Sequence, residues 1–431
     1  MLRRELFVLL FATGFLLSGE SFLSAAEDVL PPGDQTPVLR LETGGARSNV
    51  NSLAFSPDGR HLYAAGWDKL VQVWNLNQEG RFEYNSAEGL RVPTGAGNYG
   101  GLNAMTVSDD GNWLAVAGLG YARDLSSERN TGWIVPSGMR TDSALFDEGM
   151  IYVFDLHSRE TTLLRGHRGP VQAMAFVRRP LLQDANPAIP PELVSIAEEP
   201  LEDQLTKPEI RIWSVQKKST LATLATFPNV EDEQEMPLPG LRGFRPGLTA
   251  WSTGPEANQI RIALAWGDNQ FRVWDFQTGK IAYGMGGDVL LTVLPLSEDH
   301  QSFLTGAHGH VGVWSLPSFA AGRLAPQTFQ EAQVPEVNNK RFHLPRASAL
   351  IRGLNGNPDL IAMVLTEHLT DEQGQETGRA KYRLLILSAA PSVKTIREIE
   401  LWEGAIRQPS LAMDRRLQSL VIRKTRSTSL R

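Results

Sequence analysis

The chain of 431 residues contains no cysteine. That absence excludes disulfide bracing, a thiolate zinc site and a thiol-borne lipid anchor. A strong charge of either sign is missing too. The 42 Lys and Arg residues against 48 Asp and Glu leave a net charge of −6, mild acidity that does not suggest a nucleic-acid binder. The amino-terminal apolar run, Leu6 to Leu17, spans 12 residues, short of the roughly 20 that a membrane-crossing helix needs. Catalytic signatures are equally scarce. There is no Gly-x-Ser-x-Gly elbow, and no carboxylate pair has a spacing that marks it as acid and base.

The first 26 residues differ from the rest. Arg3 and Arg4 precede the apolar run, and Ser24-Ala25-Ala26 offers small residues for cleavage after Ala26. This pattern reads as a secretory signal peptide over residues 1–26, followed by a linker over 27–37, in a protein exported to the periplasm or the extracellular space without a stable membrane anchor.

From residue 38 onward one pattern recurs. The segments VQVWNL ending at Leu76, IYVFDL at Leu156, IRIWSV at Val215, FRVWDF at Phe276 and VGVWSL at Leu316 all alternate with period 2 and close on an aromatic, a polar and an apolar residue. Each reads as the same strand of a repeated unit. In the first unit, NSLAFSPDG runs from Asn51 into a turn at Gly59, HLYAAGWD is a second strand, LVQVWNL a third and RFEYNSA a fourth. Four short strands of about 40 residues make one propeller blade. The turn segment recurs as NAMTVSDDG (Asn103 to Gly111) and TVLPLSEDH (Thr292 to His300).

These repeats resemble the WD-repeat family of β-propellers over most of residues 38–431, as a divergent, exported, bacterial-type member. The Trp-Asp pair that names the family occurs as Trp274-Asp275, while Trp74, Trp213 and Trp314 hold the aromatic position alone and Phe154 substitutes for it. Gly166-His167 fits the family's Gly-His pair. Asp68 and Asp268 lie six residues before their Trp, where the family places a turn aspartate that bonds the histidine. The resemblance implies an all-β, seven-bladed propeller of four-stranded antiparallel blades. The aromatic positions are separated by 80, 59, 61 and 40 residues between 74, 154, 213, 274 and 314. A sixth blade uses PDLIAMVLTEH and KYRLLILS, with Leu385 at the Trp position, and a seventh begins at Ser410 without a good third strand. In related propellers an amino-terminal strand closes the ring, and VLRLET (Val38 to Thr43) suits that role.

The extra residues sort by face, because in an antiparallel meander alternate connections emerge at opposite ends. Residues 119–148, 198–208 and 366–380 read as second-to-third connections, and 228–246 and 325–346 as joins between blades, so all five project from one face. The other face keeps short turns apart from Arg178 to Pro191. Long loops on a rigid scaffold carry binding residues. The loop 119–148 holds Arg123, Arg129, Trp133 and Arg140, the guanidinium and aromatic groups of interface anchors, which marks it as a partner-binding site.

Other motifs carry less. GAGNYG (Gly95 to Gly100) has the dinucleotide-binding pattern but joins two strands, without the helix whose N–H groups hold pyrophosphate. His308-Gly309-His310 occupies a turn position of the repeat, and the acidic run Glu231 to Glu235 reads as a solvated loop. No cofactor, metal or catalytic residue is indicated. The sequence therefore describes a non-enzymatic scaffold that binds a protein or peptide on its long-loop face. The alternatives are a hydrolase with a loop-built site at the central channel, or the recognition module of a longer protein that continues beyond Arg431.

Overall fold

The computed structural model of the protein describes residues 6–10, 39–40, 50–79, 82–93, 100–119, 149–167, 169–179, 190–200, 206–224, 227–228, 235–236, 246–254, 259–265, 270–285, 292–295, 300–307, 310–316, 319, 322–323, 329–333, 343–351, 360–371, 373, 375–388, 395–405, 410–413 and 419–423. Every regular element among them is a strand. The strands β1 (Leu6–Leu10) and β2 (Leu39–Arg40) come first in the chain but sit in the last blade. Blade 1 is β3 (Val50–Phe55), β4 (His61–Gly66), β5 (Leu70–Leu76) and β6 (Phe82–Arg91). Blade 2 is β7 (Leu102–Val107), β8 (Trp113–Gly118), β9 (Gly149–Asp155) and β10 (Thr161–His167). Blade 3 is β11 (Val171–Phe176), β12 (Leu193–Pro200), β13 (Thr206–Ser214) and β14 (Ser219–Leu224), followed by a small hairpin of β15 (Phe227–Pro228) and β16 (Glu235–Met236). Blade 4 is β17 (Gly247–Ser252), β18 (Ile260–Ala265), β19 (Gln270–Asp275) and β20 (Lys280–Met285). Blade 5 is β21 (Thr292–Pro295), β22 (Ser302–Ala307) and β23 (His310–Ser315); β24 (Gly322–Arg323) then leaves it before β25 (Phe329–Gln333) completes it. Blade 6 is β26 (His343–Ile351), β27 (Leu360–Thr370), β28 (Glu376–Ser388) and β29 (Thr395–Ala405), and blade 7 contains β30 (Ser410–Met413) and β31 (Ser419–Arg423).

The inner strands β3, β7, β11, β17, β21, β26 and β30 pack in succession, and β30 returns to β3, so the seven sheets form a closed ring. Closure uses both ends of the chain. In blade 7, β1 lies antiparallel to β31, with Leu6 opposite Arg423 and Leu10 opposite Ser419, and β2 pairs with the outer edge of β1. Leu39–Arg40, within the segment expected to close the ring, thus supplies the outer strand. The third strand that blade 7 lacked comes from the apolar run read above as a signal peptide.

Each blade is sandwiched between two others, so both of its faces are apolar, which explains strands such as WLAVAG with no polar alternation. On β8, Trp113, Ala115 and Ala117 pack toward Leu193 and Trp213 of blade 3. The intervening Leu114 and Val116 pack toward Tyr63 and Val73 of blade 1. In blades 3, 4 and 5 the aromatic near the end of the third strand turns to the preceding blade. Trp213 joins the core shared with blade 2, Trp274 the core shared with blade 3, and Trp314 the core shared with blade 4.

Four of the expected loops are partly strand, 228–246 through the β15–β16 hairpin. The 198–208 connection continues the β12–β13 ladder as far as Pro200 opposite Thr206, and the 366–380 connection is a hairpin extending β27 and β28 to Thr370 opposite Glu376. Within 325–346, Phe329–Gln333 is the outer strand of blade 5, paired with β23. The long connection there is the one from β23 to β25, on the short-turn face, and the one-face assignment of all five insertions is corrected accordingly. The sequence missed this because β24 leaves its own blade and runs parallel to β20 of blade 4.

Between blades 2 and 3 a buried polar chain joins the packed faces. The Trp213 indole N–H donates to Ser195 Oγ at 2.7 Å, and Ser195 Oγ lies 2.6 Å from His167 Nε2. His167 Nδ1 lies 2.7 Å from Glu209 Oε2, whose other oxygen accepts from Arg211 at 2.8 Å. With Glu209 ionised and His167 neutral, Nδ1–H donates to the carboxylate and Nε2 accepts from the Ser195 hydroxyl, whose oxygen accepts from the indole. Burial lowers the His167 pKa and thereby supports the neutral form, against the pull of Glu209. Burial opposes the Glu209 charge, but the hydrogen bonds from His167 and Arg211 outweigh it and hold the pKa at about 2. Gly166 makes the approach possible, because its φ is +144° and an added Cβ would lie 2.1 Å from the Arg211 guanidinium. Blades 4 and 5 meet differently. There the Trp314 indole donates to Thr305 Oγ1 at 2.8 Å, and Gly284 leaves room for the ring, which would lie 1.7 Å from an added Cβ.

Two predictions follow from closure and from this network. Removing residues 1–26 deletes β1 and should lower the melting temperature by roughly 5 °C or more relative to the full chain; equal melting temperatures would show that the ring closes without it. Acid should weaken the blade 2–3 junction. Between its usual 4.5 and about 2, Glu209 is protonated in the unfolded chain but ionised in the fold, so its stabilisation is complete above pH 4.5 and lost as pH falls toward 2. His167 acts in the same sense below its usual 6.5. Glu209→Gln should cost about 1–3 kcal/mol at pH 7 and give a flatter urea-midpoint profile below pH 4.5 than the parent; parallel profiles would refute the assignment.

Candidate functional site

The repeat positions named from sequence serve the core. Trp74, Trp213, Trp274 and Trp314 are buried, as is Phe154, and Trp74 packs on Tyr84 with ring centroids 5.5 Å apart. Asp68, in the β4–β5 turn, accepts from Gln72 Nε2 at 2.6 Å. The acidic partner of His167 is Glu209, four residues before Trp213, and not an aspartate six residues before it. A signal for this existed: Glu209, Arg211 and Trp213 alternate along β13 and so share a face, while Ile210 and Ile212 take the other. Arg123, Arg129, Trp133, Arg140 and Asp268 lie outside the described residues.

The described surface offers a cleft that the sequence reading missed, on the short-turn face between blades 1 and 2. Its volume is about 420 Å³, within the range of small-ligand sites. Two similar turns form its walls. In SPDG, Ser56 Oγ accepts from the His61 N–H at 2.9 Å, and Asp58 Oδ1 accepts from the Arg60 N–H at 3.0 Å. In SDDG, Ser108 Oγ accepts from the Trp113 N–H at 3.0 Å, and Asp110 Oδ1 accepts from the Asn112 N–H at 3.1 Å. Each serine hydroxyl also bonds the aspartate of its own turn. These local bonds make the walls rigid before any ligand arrives.

The outer strand contributes the floor. Two steps along β5, from Val73 to Val71, face five along β6, from Asn85 to Leu90, and this bulge carries Glu88 into the cleft. Asn75 Nδ2 donates to Glu88 Oε2 at 3.2 Å, so its oxygen accepts from His61 Nδ1 at 2.8 Å. Blade 2 repeats the arrangement, with Asn112 donating to Asp110 at 2.9 Å and accepting from His157 Nε2 at 2.7 Å. Arg159 crosses between the blades, its Nη1 donating to the Glu88 carbonyl at 3.3 Å. Tyr63 lines the cleft, stacked on His61 with centroids 6.2 Å apart. Burial, and then the Asp58 and Glu88 charges, push the Tyr63 pKa up to about 12, so the phenol keeps its proton. Burial works against the Asp58 charge as well, but the bonds from Ser56 and the Arg60 N–H hold its pKa below the usual value. At the inner rim Arg178 Nε lies 3.6 Å from Asp109 Oδ2, and its backbone pairs with blade 4 through Ala250 and Ser252. Four carboxylates thus line the cleft, with one guanidinium and two imidazoles among them.

Comparison with known proteins agrees with the architecture. The WD40 family, described as WD domain, G-beta repeat, matches residues 36–75. The crystal structure of the RRP9 WD40 repeats superposes with a TM-score of 0.52 at 16% identity, over 89% of this chain and 96% of that one. The structure of U3-55K gives 0.53 at 17% identity, over 90% and 94%. In sequence, the chain is 29% identical over 150 residues to the periodic tryptophan protein 2 homolog of Dictyostelium discoideum, covering 32% of this chain and only 16% of that protein. These likenesses agree with the non-enzymatic reading. They correct the expectation of an exported, bacterial-type protein: the sequence match is to a protein of a eukaryote. Within the amino-terminal pattern, Leu6–Leu10 pairs as a strand of blade 7. A repeat match over residues 36–75 and a closed seven-bladed ring make the chain similar in fold to the WD-repeat β-propellers.

Proposed function

We propose that the chain is a non-enzymatic scaffold that holds a protein or peptide partner at the cleft between blades 1 and 2. The observation that carries this is a preformed polar cleft whose two walls belong to different blades and are each fixed by their own turn hydrogen bonds. A rigid site loses little conformational entropy on binding, which favours affinity. The net charge of −6 supports a protein partner over a nucleic acid. A second contact on the long-loop face, through Arg123, Arg129, Trp133 and Arg140, is supported by the β27–β28 hairpin, which extends beyond the usual blade length at that same end.

Site-specific photocrosslinking tests both. A photoreactive side chain at position 157, in the full chain expressed in cells, should yield a discrete crosslinked protein that is absent when the same group sits at Lys280 on blade 4. Crosslinking from position 129 alone would overturn the cleft assignment in favour of the long-loop face. No specific product from either position would overturn the scaffold reading.

A further inference from the structure

Among the described residues, blade 4 is the one blade whose outer strand is covered by another blade. Ala282 and Tyr283 of that outer strand, β20, are 0% and 5% exposed, whereas the outer strand of blade 1 leaves Glu83, Ser86 and Arg91 in solvent. The cover is a short strap. β24 lies parallel to β20 at two positions, Gly322 opposite Ala282 and Arg323 opposite Tyr283, although β20 is six residues long. Lys280, Ile281, Gly284 and Met285 therefore have no described strand on their outer side. A strand edge of this kind accepts a further strand through its backbone groups.

The strap also inserts an aromatic ring. Phe319, three residues before Gly322, packs partly buried against the core of Trp251, Val273 and Trp314, with its ring centre 4.6 Å from the Arg261 guanidinium carbon. Blade 4 builds this seat by itself. Arg261 Nε donates to Asp275 Oδ2 at 2.8 Å, and Asp275 Oδ1 accepts from the Thr278 N–H at 3.0 Å and from its hydroxyl at 2.9 Å. The guanidinium is thus oriented by its own blade, ready for a ring to lie against it.

The strap shows which ligand this edge fits. It is an extended segment, parallel to β20 and anchored by an aromatic side chain, which is how a peptide adds to a sheet. Its advantage over a separate chain is its tether, equivalent to a local concentration on the order of millimolar. A segment that seats the same ring and pairs along all six residues of β20 gains four positions that the strap leaves open, and this offsets the tether. We propose that the outer edge of blade 4 is a second interaction surface, covered at rest by the strap. Its partner is an extended polypeptide segment that runs parallel to β20 and places an aromatic side chain against Arg261. This surface is separate from the cleft between blades 1 and 2 and does not rest on it.

The test uses the full chain and the peptide Ac-Ser-Phe-Ala-Ala-Gly-Arg-Val-Thr-NH2, in which six residues follow the aromatic to match the six of β20. By calorimetry, Phe319→Ala, which empties the seat, should bind the peptide at least tenfold more tightly than the parent, where the strap competes. Phe319→Leu, which keeps apolar volume on the core, should gain severalfold and carries the test if Phe319→Ala does not fold. Alanine in place of the peptide's phenylalanine, or proline in place of both its alanines, should each weaken binding at least tenfold, the second because proline has no N–H for the ladder. Arg261→Gln should narrow the preference for the phenylalanine peptide. Equal affinity of the parent and the position-319 variants, or binding that ignores the prolines, would overturn the proposal. Dimerisation of Phe319→Ala with no peptide bound would overturn it in favour of strap exchange between two copies. A photoreactive group at Lys280 should stay silent in the parent and capture the peptide in Phe319→Ala. If it fails to do so while position 157 still crosslinks its partner, the scaffold reading stands and the blade 4 surface does not.

Discussion

A blade of this protein has two apolar faces and cannot bury both by itself. On β8 the residues of one parity lie against blade 1 and those of the other against blade 3, and neither set would stay out of water if a neighbour were missing. This constraint reaches every other feature. It requires an unbroken ring, the ring requires a seventh blade, and the seventh blade draws two of its four strands from the opposite end of the chain. The contacts that complete the fold are therefore among the least local in sequence.

Within the ring each junction has to admit a large aromatic from one blade into the face of the next. Blades 2 and 3 surround Trp213 with hydrogen-bonded polar groups, Ser195, His167 and Glu209, and use Gly166 to let Arg211 approach. Blades 4 and 5 give Trp314 a single threonine and the bare backbone of Gly284. The first solution fixes orientation through a charge and so depends on pH. The second uses a neutral hydroxyl and shape, and does not. A divergent repeat tolerates both because the requirement is filled volume with a satisfied indole N–H.

Much of the ring was legible because its signal is repeated. Strands such as VQVWNL and FRVWDF are buried from their first residue through the tryptophan in the same place in their blades, and the blades could be laid out from them. What escaped were features with a single occurrence. Leu6–Leu10 has the composition of a leader segment, and only its pairing with Ser419–Arg423, some 400 residues away, reveals it as a strand. Phe329–Gln333 was read as part of a blade-joining loop because a detour precedes it. The cleft was invisible for a related reason. Tyr63 and Glu88 look like ordinary strand residues, and their meeting with Asp110 and Arg159 depends on a β6 bulge and on the angle between two blades. Arg123, Arg129, Trp133 and Arg140, read from the sequence as a partner-binding set, lie outside the described residues.

The detour of β24 has its own consequence. A four-stranded blade leaves its outermost backbone groups unpaired, and such edges invite pairing with other chains. At blade 4 that edge is covered by Gly322–Arg323 from blade 5, and Phe319 of the same excursion packs over Arg261, with the guanidinium carbon 4.6 Å from the ring centre. Blade 5 thus acts as a guard for its neighbour. If it detaches, even briefly, it exposes its own core and also a sticky edge on blade 4, so partial opening on that side of the ring would start self-association sooner than opening elsewhere.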